Sequence, residues 1–569
     1  MTQPTRAALP VSLVLVLALA ACTPAPPPAS APFSVVEASF ADMQQAMAEG
    51  RVTSRDLVQQ YLTRIAYYED TLNATMVVSR RALEEADRLD EERRQGRVRG
   101  PLHGIPIALK DIINTTDMPT TGGALAFEGY TPPYDATLVT LLREAGAVLI
   151  AKTVNTELAN WVANGMPGNY SAVGGYGMNP YDPRRDPRAG TSDGRPVMGT
   201  GGSSSGIGTA TNLWAASVGT ETSGSILSPS NANMLAGIKP TVGRISRYGI
   251  MPITADQDTA GPMAKTVADA AILLGAMEGA SPDPNDPATS TCTPPPNRDY
   301  TPHLKAGALQ GARIGVPRAL FYTPATVPGT TTTRGGLNEA QTAQMEEVIA
   351  LLRAQGAEVV DADIPSVLDP DPAANFMTWG TCAGPDNTRG NDADCSVVFK
   401  YGMKRDFNAY VASLGPTAPV KSLTELREFN LANQHRNAIK YGQAHLDVSD
   451  EMDVERDRVR YEADRARDIL LGGTRGIAAA IEAHQLDALL FPGSGGAGIA
   501  AKPGYPTVIV PYGMQMPTPQ PPMPDGFELR PGPFGVSFTG VACSEPRLIE
   551  LAYAFEQATK KRVPPPLFP

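Results

Sequence analysis

The sequence is poor in the residues that bind metal ions. Its 569 residues include five histidines and five cysteines. There is no Cys-x-x-Cys motif, and no two histidines stand at the spacing of a metal site. We therefore expect no metal centre, and we expect the five histidines to occupy structural or surface positions.

Cationic stretches are missing as well. The chain has 48 Lys and Arg against 59 Asp and Glu, a formal net charge of -11, and no long run of Lys or Arg. Because a nucleic-acid-binding protein needs several cationic contacts to the phosphate backbone, the sequence argues against nucleic acid as a partner. The hydrophobic share of 42% and the charged share of 19% are those of a folded globular chain.

Long apolar runs are limited to the N-terminus, which has the pattern of an export signal. Arg6 precedes an apolar run over residues 11–20, which is too short to span a membrane, and small residues stand before Cys22. Leu19–Cys22 resembles the bacterial lipobox, in which the cysteine is lipidated and becomes the first residue of the mature protein. Ordinary signal cleavage near Ala21 is the alternative. Both predict export, and the first adds a lipid anchor on the periplasmic side of a bacterial membrane.

The remaining sequence predicts one folded domain behind a tether. Residues 1–22 are the expected signal peptide, residues 23–33 are Pro-rich and extended, and residues 34–569 form the domain. Helical apolar spacing follows Ser54, which is the expected N-cap of a helix. Other segments alternate between helix and strand patterns, which indicates an α/β layer architecture. The predicted helices are 135–145 and 546–559, with 209–217 helix-compatible, and the predicted strands are 147–151, 486–490, 507–510 and 534–538.

Three short segments combine residue types that can carry chemistry. They are residues 104–111, 201–206 and 219–226. The first is apolar up to Lys110, the second places Ser203 among glycines, and the third is a polar turn that ends in Ser225. Taken singly, each has an ordinary explanation: a lysine at a strand end, a flexible linker, and a Ser/Thr turn.

Together and in this order, the three segments resemble the catalytic set of the amidase signature family. The ending, residues 535–559, looks most like that of bacterial peptide amidases. Residues 237–241 and 258–263 also match what the family carries downstream, and the resemblance runs from about Val35 to the C-terminus. It implies a single large α/β/α domain with a central mixed sheet covered by helices. It also implies an amidohydrolase that cleaves carboxamide C–N bonds.

The resemblance assigns a role to each segment. It makes Ser225 the nucleophile, Lys110 the base and Ser203 the bridge between them, behind a cis peptide bond from Gly202. It assigns the oxyanion hole to four backbone N–H groups, those of Thr222, Ser223, Gly224 and Ser225.

The chemistry of these residues is consistent with that assignment. A serine hydroxyl is a poor nucleophile at neutral pH and needs a neighbouring base, and Lys110 can serve only when it is uncharged. Lowering its pKa from about 10.4 to about 7 corresponds to about 4.6 kcal/mol, which desolvation among apolar neighbours can supply. This route needs no cofactor. The resemblance indicates C-terminal peptide amides or other acyl amides as substrates, with release of ammonia or an amine.

Departures from the family pattern leave alternatives open. Leu227 stands where the family often has Arg, which puts a contact to a substrate carboxylate in doubt. The stretch from 206 to 219 is slightly short, which leaves Ser204 as an alternative bridge. An esterase or carbamate hydrolase would use the same residues, and a catalytically inactive, lipid-anchored binding protein could share the scaffold. Residues 493–498 are expected to shape the acyl pocket, and the oligomeric state is not predicted.

The cysteines give one further expectation. Cys382 and Cys395 flank a polar loop, so in an oxidising compartment they form either a local disulfide or two free thiols. Cys543 lies between a predicted strand and helix and is expected to serve in packing.

Overall fold

The computed structural model describes residues 1–4, 7, 32–188, 190 and 193–569, and it divides into the units Met1–Phe33 and Ser34–Pro569. The few described residues of the first unit belong to no helix or strand. The expected signal peptide beyond its first residues, Cys22 and most of the tether lie outside the described residues. In the described part of the chain, no helix has both the length and the apolar character needed to cross a bilayer.

The second unit alternates between strands and helices. The strands are β1 Thr75–Val78, β2 Pro106–Lys110, β3 Val148–Thr153, β4 Tyr170–Ser171, β5 Gly175–Tyr176, β6 Ala216–Glu221, β7 Ala236–Lys239, β8 Thr259–Ala264, β9 Arg313–Val316, β10 Ala325–Thr326, β11 Thr333–Arg334, β12 Glu358–Asp361, β13 Gly380–Thr381, β14 Cys395–Ser396, β15 Ala488–Pro492, β16 Thr507–Gln515 and β17 Gly532–Thr539. The helices are α1 Phe40–Ala48, α2 Ser54–Leu72, α3 Ala82–Arg94, α4 Thr137–Glu144, α5 Ser204–Ala210, α6 Leu227–Ala232, α7 Val267–Met277, α8 Glu339–Ala354, α9 Pro365–Leu368, α10 Val398–Ser413, α11 Leu423–Ala432, α12 Ala444–Asp450, α13 Arg458–Ile469, α14 Ala478–His484, α15 Ala497–Ala501 and α16 Glu545–Thr559.

Eleven of the strands form one mixed sheet in the order β1-β3-β2-β6-β8-β7-β16-β17-β15-β9-β12. The neighbours β3, β2 and β6 are parallel, as are β15, β9 and β12, whereas β6 to β15 pair antiparallel along the sheet. Helices pack on this sheet, among them α3 on β3, α7 on β7 and β8, and α16 on β16. The predicted α/β fold with a mixed, helix-covered sheet is confirmed.

Two local predictions were wrong in position. Helix α2 begins after Thr53, whose hydroxyl accepts the Asp56 N–H at 3.1 Å, so Thr53 and not Ser54 is the N-cap. Residues 209–217 do not form one helix, because α5 ends at Ala210 and β6 begins at Ala216. Asn212, with a φ of 56°, turns the chain between them.

Two disulfides close loops of very different length. One joins Cys382 to Cys395, with a Cα–Cα distance of 5.1 Å. The other joins Cys292 to Cys543 across 251 residues, with a Cα–Cα distance of 5.5 Å. The expectation that Cys543 serves only in packing is therefore wrong. Nothing local in the sequence pairs these two cysteines, because they are 251 residues apart along the chain.

The sheet brings the predicted segments to one edge. Strands β2, β3 and β6 are buried along their whole length, as expected of parallel strands covered on both faces. Since they run in the same direction, their carboxyl ends meet at the same edge. Lys110 ends β2 and pairs in register with Thr153, the last residue of β3, while Ser225 follows the end of β6.

Candidate active site

Lys110 is fully buried, and its amine has two acceptors on one residue. Its Nζ donates to Thr220 Oγ1 at 3.0 Å and to the Thr220 carbonyl oxygen at 3.3 Å. Burial lowers the pKa of Lys110 to about 8, against the opposing effect of Asp258 and Glu221. With that pKa, about one amine in ten is uncharged at pH 7. Lys110 can therefore accept a proton near neutral pH.

Ser203 lies at the start of α5 within a chain of buried hydroxyl groups. Its Oγ accepts the Ser205 N–H at 3.2 Å and donates to Ser205 Oγ at 2.9 Å. Ser205 Oγ in turn lies 2.8 Å from Thr153 Oγ1. Because Thr153 is the strand neighbour of Lys110, this chain runs from Ser203 toward the strand end that carries the base.

Ser204, the alternative bridge, points elsewhere. Its Oγ accepts the Asn169 Nδ2 at 2.8 Å and lies 3.5 Å from the Asn73 carbonyl oxygen. Of the two serines, Ser203 is the one whose hydroxyl is connected to Thr153, through the hydroxyl of Ser205.

Ser225 is half-buried, and its hydroxyl lies against the main chain that leads to Ser203. A Cβ placed on Gly202 would lie 3.1 Å from Ser225 Oγ, and one on Gly201 would lie 2.3 Å from the Pro229 nitrogen. Gly201 also has a φ of 73°. Glycine at these two positions therefore allows the segment before Ser203 to approach Ser225 and helix α6.

The expected cis peptide bond is absent from this arrangement. Within the described residues the cis bond is Gln520–Pro521, so Gly202–Ser203 is trans. The Gly202 carbonyl accepts the Thr156 N–H at 3.3 Å and the Thr156 hydroxyl at 3.2 Å, which holds this peptide unit in place. In the described part of the chain, no hydrogen bond joins Lys110 to Ser203 or Ser203 to Ser225. The expectation of a cis bond at this position was wrong.

The loop from Thr222 to Ser225 is held from both ends. The Glu221 carboxylate accepts the backbone N–H groups of Ile226 at 2.8 Å and Leu227 at 2.9 Å. The Thr222 hydroxyl donates to Asp258, whose pKa desolvation raises to about 7. The N–H groups of Ser223 and Ser225 donate to no acceptor in the described residues. Such unpaired, fixed N–H groups are what an oxyanion hole requires.

Comparisons with known proteins identify the family. The family model for amidases matches residues 56–492. The chain belongs to the amidase family. It is 33% identical over 542 residues to a probable amidase of Arabidopsis thaliana, covering 94% of this chain and 93% of that protein. This confirms the predicted family and its class, an amidohydrolase.

Solved structures support the same conclusion. The native peptide amidase from Stenotrophomonas maltophilia superposes with a TM-score of 0.77 at 37% identity, covering 94% of this chain and 99% of that one. A peptide amidase in complex with the competitive inhibitor chymostatin has a TM-score of 0.76 at 37% identity, covering 94% and 100%. The amidase is thus similar to peptide amidases over nearly its whole length.

An apolar contact lies beside the Ser225 loop of this amidase. A Cβ on Gly224 would lie 3.7 Å from Ala497, and Leu227, Ala497 and Ile509 pack together. Ala497, within the segment 493–498, therefore borders the Ser225 loop. Leu227 is buried in this cluster and provides no cation there for a substrate carboxylate.

The sequence did not indicate two residues that contact the proposed catalytic groups in the amidase. Thr220 holds the amine of Lys110, and Ser205 holds the hydroxyl of Ser203. Ser205 lies in the segment 201–206 and Thr220 in the segment 219–226. The serine and threonine content of these segments was the one feature of the sequence that could have indicated the two residues. Among the described residues, no three His, Cys, Asp or Glu side chains are grouped as metal ligands.

Proposed function

We propose that this amidase hydrolyses carboxamides through an acyl intermediate on Ser225, with Lys110 as the base and Ser203 as the bridge. The main supporting observation is the buried amine of Lys110, with its pKa lowered to about 8, at the sheet edge where the Ser225 loop begins. A buried lysine whose pKa lies near the working pH is suited to general base catalysis.

The proposed reaction has two halves. Ser225 Oγ attacks the amide carbon while its proton passes through Ser203 to Lys110, and N–H groups of the loop from Thr222 to Ser225 stabilise the oxyanion. The Lys110 ammonium then protonates the leaving amine, and water hydrolyses the ester by the reverse proton route. Because Ser203 Oγ donates to Ser205 in the structure, the relay requires this hydroxyl to rotate toward Lys110.

We propose C-terminal carboxamides of peptides, or related acyl amides, as substrates, with release of ammonia. The similarity to solved peptide amidases supports this class. The apolar contact of Leu227 with Ala497 and Ile509 favours an acyl group without a carboxylate at that position.

The test is to incubate the purified folded domain with peptide amides, aryl amides and matched esters and carbamates, and to measure released ammonia, amine or alcohol. We expect turnover of amides that Ser225→Ala abolishes. Faster turnover of the matched ester or carbamate, with no amide cleavage, would instead favour the esterase alternative. Absence of Ser225-dependent turnover of every substrate would favour an inactive binding protein.

Export and anchoring remain a separate proposal. The residues before Cys22 support a lipid anchor on the periplasmic face of a bacterial membrane. We expect Cys22→Ser to move the protein from the membrane fraction to the soluble periplasmic fraction. Unchanged membrane retention would contradict lipidation.

A further inference from the structure

Thr220 lies next to Lys110 in the sheet and offers its amine two acceptors. Thr220 belongs to β6, the parallel neighbour of β2, and is buried. Its hydroxyl and its carbonyl oxygen lie 3.0 and 3.3 Å from Lys110 Nζ. Within the described residues, the Lys110 amine has no other hydrogen-bond partner.

The number of acceptors matters because the two forms of a lysine amine differ in donors. The charged form has three N–H groups and no lone pair, whereas the uncharged form has two N–H groups and one lone pair. Two acceptors on one residue satisfy both N–H groups of the uncharged form. The lone pair then remains available for a proton.

We infer that Thr220 is a positioning residue, which holds the uncharged amine of Lys110 by both N–H groups and leaves its lone pair for the proton from Ser203. The inference rests on the proposed Ser225 mechanism. It assigns no contact with substrate to Thr220, which acts through Lys110 alone.

A second buried lysine shows that this pattern is not general. Lys152 Nζ donates to three acceptors, the carbonyl oxygens of Ile113 and Pro119 and the hydroxyl of Thr120, at 2.6, 3.3 and 2.7 Å. Three acceptors match the three N–H groups of an ammonium. The two acceptors around Lys110 match the two N–H groups of the uncharged amine and leave the third N–H of an ammonium without a partner.

The test is Thr220→Val, which removes the hydroxyl acceptor and nearly preserves side-chain volume. We expect kcat to fall about tenfold with little change in KM, because one of the two fixing hydrogen bonds is lost. A hydrogen bond to the charged form raises a lysine pKa, so its loss lowers the pKa of Lys110. The acid limb of the kcat/KM profile should then move to lower pH by about one unit. Thr220→Ser, which keeps the hydroxyl, should restore the wild-type limb.

Thr507→Val is the matched control. The Thr507 hydroxyl lies 2.9 Å from that of Thr539 in the same sheet, and both are buried. This variant should lose a comparable hydrogen bond without moving the pH limb. Thermal unfolding would show that each variant folds. Thr220→Ala, which removes the same hydroxyl, provides the test if Thr220→Val does not fold.

The outcomes separate this inference from the proposed function. Ser225-dependent turnover with a wild-type kcat and pH limb in Thr220→Val would overturn the role of Thr220 alone. Equal loss in Thr220→Val and Thr220→Ser with an unmoved limb would show a merely structural role and would also overturn it. Wild-type protein without Ser225-dependent turnover would overturn the proposed function itself.

Discussion

Lys110 and Lys152 lie on neighbouring strands, both fully buried, and burial lowers the pKa of each to about 8. Their surroundings differ. Lys152 has three hydrogen-bond acceptors, whereas Lys110 has the two acceptors of Thr220. Carboxylates act on both amines, Asp111 on Lys152 and Asp258 and Glu221 on Lys110. Burial lowers both pKa values alike, so burial alone does not distinguish the two lysines. The acceptors decide whether the charged or the uncharged amine is satisfied, so Lys152 is suited to a structural ammonium and Lys110 to a proton acceptor.

The largest expected effect is that of Lys110→Met, which keeps a long, apolar side chain but removes the base. We expect kcat/KM to fall by about three to four orders of magnitude, because Ser225 loses the group that takes its proton. Stability should change little, since Asp258 and Glu221, the carboxylates near Lys110, keep Arg247 and Lys239 as nearby cations. Steady-state kinetics with a peptide amide, together with urea unfolding, measure both quantities. Activity within tenfold of wild type would remove Lys110 from the mechanism.

Lys152→Met should lower stability and leave most of the activity, which is the opposite of the result expected for Lys110→Met. Removing this amine leaves Asp111 buried without its nearby cation, and we expect the free energy of unfolding to fall by about 3 kcal/mol. Once folded, the variant should retain its pH limb and most of its turnover. Urea unfolding and a pH profile of the folded protein check the two expectations. A collapse of kcat in protein of unchanged stability would show that the two lysines do not differ as described.

The smallest expected effect concerns Thr120. Its hydroxyl accepts a hydrogen bond from the amine of Lys152, as the Thr220 hydroxyl does from the amine of Lys110. Thr120→Val removes one of three acceptors and should lower the free energy of unfolding by about 1 kcal/mol, with kcat and the pH limb unchanged. Thermal or urea unfolding beside the kinetic assay would detect it. A shifted pH limb in this variant would mean that such shifts do not report on Lys110.

The sequence predicted the α/β fold, the family and the three segments, because apolar periodicity and short motifs are local. It could not predict that Lys110 would contact Thr220, which lies 110 residues further along the chain. That contact depends on the register of two parallel strands, which the intervening residues 111–215 determine. The same reasoning applies to Cys292 and Cys543.

The pH dependence of the acylation step tests the central claim most directly. Rapid-mixing measurements of the second-order acylation rate, with an activated amide at concentrations below KM and from about pH 6 to about pH 10, would report the ionisation of the base in the free enzyme. Because the base must be uncharged, the acylation rate should rise with pH, about tenfold per unit below a single limb near the Lys110 pKa of about 8, and then level off. The limb should be absent from Lys110→Met. An acylation rate that does not change across this range, or the same limb in Lys110→Met, would contradict the assignment of Lys110 as the base for Ser225.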